Sequence, residues 1–303
     1  MSSIRTERLV KDVHPIKKMM ANETSVMSAF TAGVAVSCAT CLFSLNFPFL
    51  LQPKAAAEVY LPAFYEYNAS LSLFDNSAWT YMTDYMLTIV MTRMVFLLMA
   101  AKSTAVILKR RACSLLVCYA ISVTAGGIAH QFFTTAESRN TLTFRILWTV
   151  CVGTVTAAGG FMGACASEVS DSFGFYRIPG WFWAGFAWFT TILCVGGVMS
   201  FQRPAADIFV AGITQLTPTT AMVIPVLQLF SQGRIPGIFT LVCVLGFVLN
   251  APLLPLYSFL LFHASWTLPA VNALLHCWLC VTWAVQGFSL LYFIRLTGGG
   301  KKV

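Results

Sequence analysis

The sequence predicts an all-α fold, a polytopic transmembrane helical bundle built from one anchor helix and a seven-helix core. Charge is scarce: of 303 residues, 19 are Lys or Arg and 11 are Asp or Glu, where soluble domains carry charge at about a quarter of their positions. Apolar residues make up 58 % of the chain, and the mean hydropathy is +0.76. The apolar residues also come in runs near the ~20 residues that a helix needs to cross a bilayer. Together these features exclude a water-facing globular enzyme, a disordered chain and a nucleic-acid binder. The partner they imply is the lipid bilayer.

The elements follow in order. Residues 1–24 are a polar tail, and the apolar run 25–51 behind them is longer than the core of a cleavable signal, so it reads as an anchor helix. Residues 52–78 form a long loop. The core, 79–294, holds candidate spans at 79–101, 112–133, 141–166, 180–200, 205–229, 235–256 and 267–294, and a basic tail, 295–303, closes the chain. Two spans carry prolines, Pro218 and Pro225 in one and Pro252 and Pro255 beside Asn250 in the other. Proline lacks an amide donor and clashes with the preceding turn, so both helices are expected to be irregular.

Alternation of these spans places fourteen of the 19 Lys and Arg residues on one side, among them Lys102, Arg110, Arg111, Arg177, Arg234 and Arg295. By the positive-inside rule that side is cytosolic and holds both termini. The acceptor triplet Asn68-Ala69-Ser70 falls in the opposite, exoplasmic loop, as glycosylation requires. All ten cysteines lie inside predicted spans, so no lumenal disulfide framework is expected. The pair Cys38/Cys41 reads as small packed hydrophobes. Trp181, Trp183 and Trp188 read as interfacial anchors.

An ionisable side chain inside a span is costly and therefore a functional candidate. Asp84, His130, Arg145 and His276 all fall near the exoplasmic ends of their spans, with His263 in a connection on the same side, whereas Arg93 lies in the cytoplasmic half and snorkels. Asp207 begins its helix, where a carboxylate suits the dipole. Asn272, His276 and Cys280 recur at intervals of four and share one helix face, continued by Trp283 and Gly287. Such a stripe must face another helix, because lipid offers no hydrogen bonds. The Gly126-Gly127 pair beside His130 suits either close helix packing or ligand access, and Gly159 with Gly163 reads as a packing seam.

Asp84, His130, His276 and Cys280 are the residue types that hold zinc, and a zinc-bound water would supply a nucleophile. The competing account leaves both histidines neutral and hydrogen-bonded to backbone or Asn272, with Asp84 capping its helix. Two resemblances bear on the choice. TDYMLT from Thr83, AGGIAHQF from Ala125 and ILWTVCVGTV from Ile146, with AAGGFMG from Ala157, resemble uncharacterised multi-pass membrane proteins and imply no activity. A seven-helix core with a histidine ending its second helix and a His-x-x-x-ligand pair on its seventh is similar to the alkaline ceramidase and progestin/adiponectin-receptor-like superfamily. That resemblance implies zinc held by three histidines, amide or ester hydrolysis in the membrane, and matching roles for His130 and His276. Cys280 stands where the second histidine of the pair is expected, and Gly126 stands where the family has a serine.

Three functions follow as expectations. One is a His/Asp metal-dependent hydrolase acting on lipid, with Asp84, His130 and His276 catalytic. Another is a small-solute or ion transporter with broken helices near Pro218 and Pro252. The third is a non-catalytic receptor or structural protein.

Overall fold

The computed structural model describes residues 74–139, 141–200, 214–250, 253, 256, 259–260 and 263–298, with side chains left aside over 192–200. The anchor run 25–51, most of loop 52–78, both tails, Cys38/Cys41, the Asn68 triplet, Asp207, Pro252 and Pro255 lie outside them. The described residues form helices and no strands. In chain order these are α1 (Ala78–Ala100), α2 (Val106–Phe132), α3 (Ala136–Arg139), α4 (Leu142–Ser172), α5 (Gly180–Ser200), α6 (Leu216–Ser231), α7 (Gly237–Val248) and α8 (Leu268–Gly298). Four of them, α1, α2, α4 and α8, are long and apolar enough to cross a membrane, and this is a membrane protein.

The helices close into a ring. α1 packs on α2, α2 on α4, α4 on α6, α6 on α7, α7 on α8, and α8 returns to α1; α5 lies outside the ring against α4. Fully buried Leu87, Met91 and Leu98 of α1, Leu115 and Leu116 of α2, Val226 of α6, Phe247 of α7 and Phe293 of α8 fill the interior. Across the middle, the Tyr119 ring of α2 stacks on Trp283 of α8 with centroids 3.9 Å apart and planes within 7°.

Small residues set the close approaches. A Cβ at Gly163 would enter the Trp183 ring, and one at Gly160 would meet Ala187, so the glycine seam of α4 admits α5. Trp183 is therefore no interfacial anchor. It is fully buried and donates its Nε1–H to Ser167 Oγ at 2.9 Å, whereas Trp188 of the same helix is 71 % exposed. Gly159 faces Gln215 and Pro218 instead.

Several boundaries move for local reasons. α2 begins at Val106, earlier than the apolar run, because Lys109 reaches back to the Met99 and Ala101 carbonyls at 3.1 and 3.2 Å and lets the charged first turns be helical. α6 runs through Pro225 without ending. α7 stops at Val248, followed by a turn at Leu249 and Asn250, and helical residues recur at 253, 256, 259 and 260.

The two ends of the bundle differ. At one end Ser103 and Thr104 donate to the last carbonyls of α8, at Ile294 (2.6 Å) and Gly298 (3.0 Å). Arg111 pairs with Glu168 there at 2.7 Å, and Arg234 lies over the Phe173 ring. The other end carries Asp75, Asp84, His130 and His276.

Candidate functional site

The residues ahead of α1 lock the end of α2. Asn76 donates to the His130 and Phe133 carbonyls at 2.6 and 3.2 Å, satisfying acceptors that a helix C-terminus leaves without partners. Phe74 stacks on the His130 ring at 4.5 Å, and Trp148 of α4 meets it edge-on. His130 Nδ1 lies 2.6 Å from the Asp75 carbonyl, a pure acceptor, so that nitrogen carries the proton.

Asp75 is the organiser that the sequence did not single out. Its Oδ1 accepts the Ser77 amide at 2.9 Å, an Asx turn, and its Oδ2 accepts the Thr80 hydroxyl and the Asn272 amide, the latter at 3.0 Å. Burial raises its carboxyl pKa, but the hydrogen bonds from Thr80, Ser77 and Asn272 together outweigh that and hold it below the ordinary value of 3.8. The available signal was the Asp75-Asn76-Ser77 run just before an apolar helix, a turn-and-cap composition. Asp84 does not cap α1, since it sits in the second turn.

The stripe on α8 faces α1. Asn272 reaches Asp75, and His276, one turn on, reaches Thr83 and Asp84. Cys280 packs against the apolar core, Trp283 stacks on Tyr119, and Gly287 abuts Met94. Thr83 Oγ1 lies 2.7 Å from the Trp79 carbonyl, 2.9 Å from the Thr80 carbonyl and 2.9 Å from His276 Nδ1. A hydroxyl has one proton, and the carbonyls take it, so Nδ1–H of His276 donates to Thr83. That orientation points His276 Nε2 at Asp84 Oδ1, 3.5 Å away. The pair then has one proton to divide, as imidazolium with carboxylate or as imidazole with carboxylic acid.

The other oxygen of Asp84 has no partner. The residue is 3 % exposed, and Oδ2 makes no hydrogen bond. What lies beside it is the hydrogen of Gly126: a Cβ there would stand 3.6 Å from Asp84 Oδ2 and 3.6 Å from Cys151 Sγ, in ordinary contact. Gly127 differs, because a Cβ at that position would come within 2.8 Å of the Tyr85 ring. Of the glycine pair, Gly127 serves packing and Gly126 leaves room at the carboxylate.

Asp84 and His276 therefore meet, while His130 is engaged one layer outward with Asp75 and Phe74, and Cys280 lies a turn deeper. Among the described residues, no three His, Cys, Asp or Glu side chains are grouped to hold a metal ion. The zinc set does not fit this arrangement, and no step is routed through a metal below. Arg93 is exposed on the outer face of α1, and His263 is exposed and stacks on Phe259.

A second polar zone joins α7 to α8 at mid-length. Cys243 Sγ meets Ser289 Oγ (3.1 Å), Gln286 Nε2 donates to the Gly246 carbonyl (2.9 Å), Trp278 Nε1 to that of Leu249 (3.0 Å), and Thr282 Oγ1 to Asn250 Oδ1 (2.5 Å). The order is antiparallel. No protein-family model, curated protein or solved structure matches this chain.

Proposed function

We propose that this chain is a multi-pass membrane protein with a seven-helix core and cytosolic termini, and that Asp84 with His276 forms an acid–base centre acting on lipid at its exoplasmic side. The core is α1, α2 and α4 to α8. Its orientation rests on the cations: Lys102, Arg110, Arg111, Arg177, Arg234 and Arg295 fall at the end where Ser103 meets Ile294, opposite Asp84 and His276.

The observation that carries the reading is the Asp84 carboxyl, buried inside a span with one oxygen on His276 and the other free. A carboxyl without full hydrogen bonding is expensive in such surroundings, and general acid–base catalysis repays groups held in that state. Oδ2 is placed to take a proton from a hydroxyl or water entering beside Gly126. His276, fixed by Thr83, keeps the shared proton on Nε2 as imidazolium, which leaves the carboxylate free to accept at Oδ2 and orients it.

Transport is the second reading, and a specific observation favours it. α6, which carries Pro218 and Pro225, packs on α7, and Gln286 Oε1, on a side chain with no exposed area, has no hydrogen-bond partner at mid-length. One experiment separates the two. The protein, Asp84→Asn and His276→Ala are reconstituted into vesicles of natural phospholipid and ceramide enclosing a pH-sensitive dye. Lipid composition by mass spectrometry and proton uptake are then followed together. A lipid product formed by the native protein and lost in Asp84→Asn supports the proposal. Unchanged lipids with Asp84-dependent proton flux would overturn it in favour of transport. The same preparations are assayed for zinc.

A further inference from the structure

A groove of about 300 Å³ opens on the outer face of the bundle between α1, α2 and α4. Thr88 and Thr124 line it, and their hydroxyls lie 3.0 Å apart. Thr124 also donates to the Ala120 carbonyl and Thr88 to that of Asp84, so both hydroxyls are already satisfied, and the remaining walls, including Ile128 and Leu147, are apolar apart from Thr92. Rim residues Ile121 and Val150 face outward, 42 % and 39 % exposed. On helices that cross a membrane, such faces meet hydrocarbon.

The groove is aligned with the acid–base centre. Thr88 stands one turn below Asp84 on the same face of α1. Two wall residues, Ala125 and Val150, are chain neighbours of Gly126 and Cys151, and a Cβ on Gly126 would stand 3.6 Å from both Asp84 Oδ2 and Cys151 Sγ. The groove therefore runs from the level of that oxygen toward mid-length, where Thr92 and Ala120 line it. Its volume suits about ten methylene-sized groups, taking about 30 Å³ for each as for a water molecule, and is far too small for a helix about 10–12 Å across.

We propose that this groove holds one hydrocarbon chain of a membrane lipid, with the chain's head end at the level of Asp84. A lipid so placed would bring the bonds next to its head group to the depth of Asp84 in the membrane, one helix turn from Thr88. The chain site stands on the groove alone; only its link to chemistry rests on the acid–base reading.

The test uses the full-length protein in phosphatidylcholine vesicles containing a phosphatidylcholine with a photoactivatable diazirine on one acyl chain. Labelled peptides are mapped by mass spectrometry. Labelling at residues 121–128 and 147–150 is expected to exceed that at the outward residues Ile89, Phe96 and Ile238 by about tenfold, the factor that about 1.4 kcal/mol of preference gives. It should saturate against an unlabelled lipid and be lost in Val150→Trp, a rim change that leaves the core untouched. Should that variant fail to fold, the saturation measurement on the native protein decides alone. Equal labelling of the groove and the outer faces would overturn the proposal, as would cross-links seating residues 25–51 or a second copy in the groove. Asp84→Asn should leave labelling unchanged, so a groove that labels without any lipid turnover sinks the acid–base reading and not the chain site.

Discussion

Between α7 and α8 the polar groups form a ladder in which side chains of one helix meet side chains or end-carbonyls of the other, from Cys243–Ser289 to Asn250–Thr282. Every rung is uncharged. At the end of the bundle where α1, α2 and α8 meet, the groups are titratable, and only Asp75 and His130 are tied off by neutral partners. Asp84 and His276 are left with one proton and a spare oxygen. The same helix, α8, thus meets α7 through uncharged groups on one face and α1 through an ionisable pair on another. What separates them is unspent hydrogen-bonding capacity on an ionisable group, and not polarity itself.

The sharpest way to break this comparison is Asp84→Asn. The amide keeps the shape and loses the proton acceptor, so lipid turnover should fall about a hundredfold or more, as for loss of a general base. Thermal unfolding in detergent should change little; a large loss of stability would make Asp84 another structural contact. Gln286→Leu should do the reverse. Stripping the Gly246 carbonyl of its donor is expected to cost about 1–3 kcal/mol in chemical denaturation, with turnover unaffected. Gly126→Ala sharpens the contrast inside the site: its methyl fits at 3.6 Å from Asp84 Oδ2 and occupies the room beside it. Activity should drop about tenfold, equivalent to about 1.4 kcal/mol in the barrier, with the melting temperature held.

The smallest effect concerns Asp75. Its carboxyl sits below 3.8 in the folded state, so its stabilising contribution is complete above that value and is lost as pH falls through the lower folded value. The native melting temperature should fall on acidification below pH 3.8, and Asp75→Asn should flatten that dependence. The amide would turn a donor toward Asn272 and Thr80, so the variant should sit at the lower level throughout. A native protein with no acid-side loss would remove Asp75 as the organiser of this end.

The sequence made the helices legible where length alone decides. The spans 79–101, 180–200 and 267–294 correspond to Ala78–Ala100, Gly180–Ser200 and Leu268–Gly298. The four-residue recurrence of Asn272, His276 and Cys280 told which face of α8 turns inward, because polar groups have nowhere else to go in hydrocarbon. Depth along each span brought Asp84 and His276 to one layer. It did not distinguish His130, which the Asp75 carbonyl holds outside that contact. Nor did it reveal Trp183 as buried: in a membrane the lipid face and the core face are equally apolar, so the pattern carries no inside and outside for such a residue. Asp75 was hidden by its place before the apolar run, in a stretch read as loop.

The ring is closed by α1 against α8, and 193 residues separate Thr83 from the histidine it holds. During synthesis the first hairpin enters the membrane long before its eventual neighbour is made. Until α8 arrives, Asp84 has no imidazole beside it, and the carboxyl must wait either protonated or wet. The contact of Asp84 with His276 thus forms only once α8 is in place, and a chain that stalls before α8 holds a bundle with a carboxyl and no imidazole to share its proton.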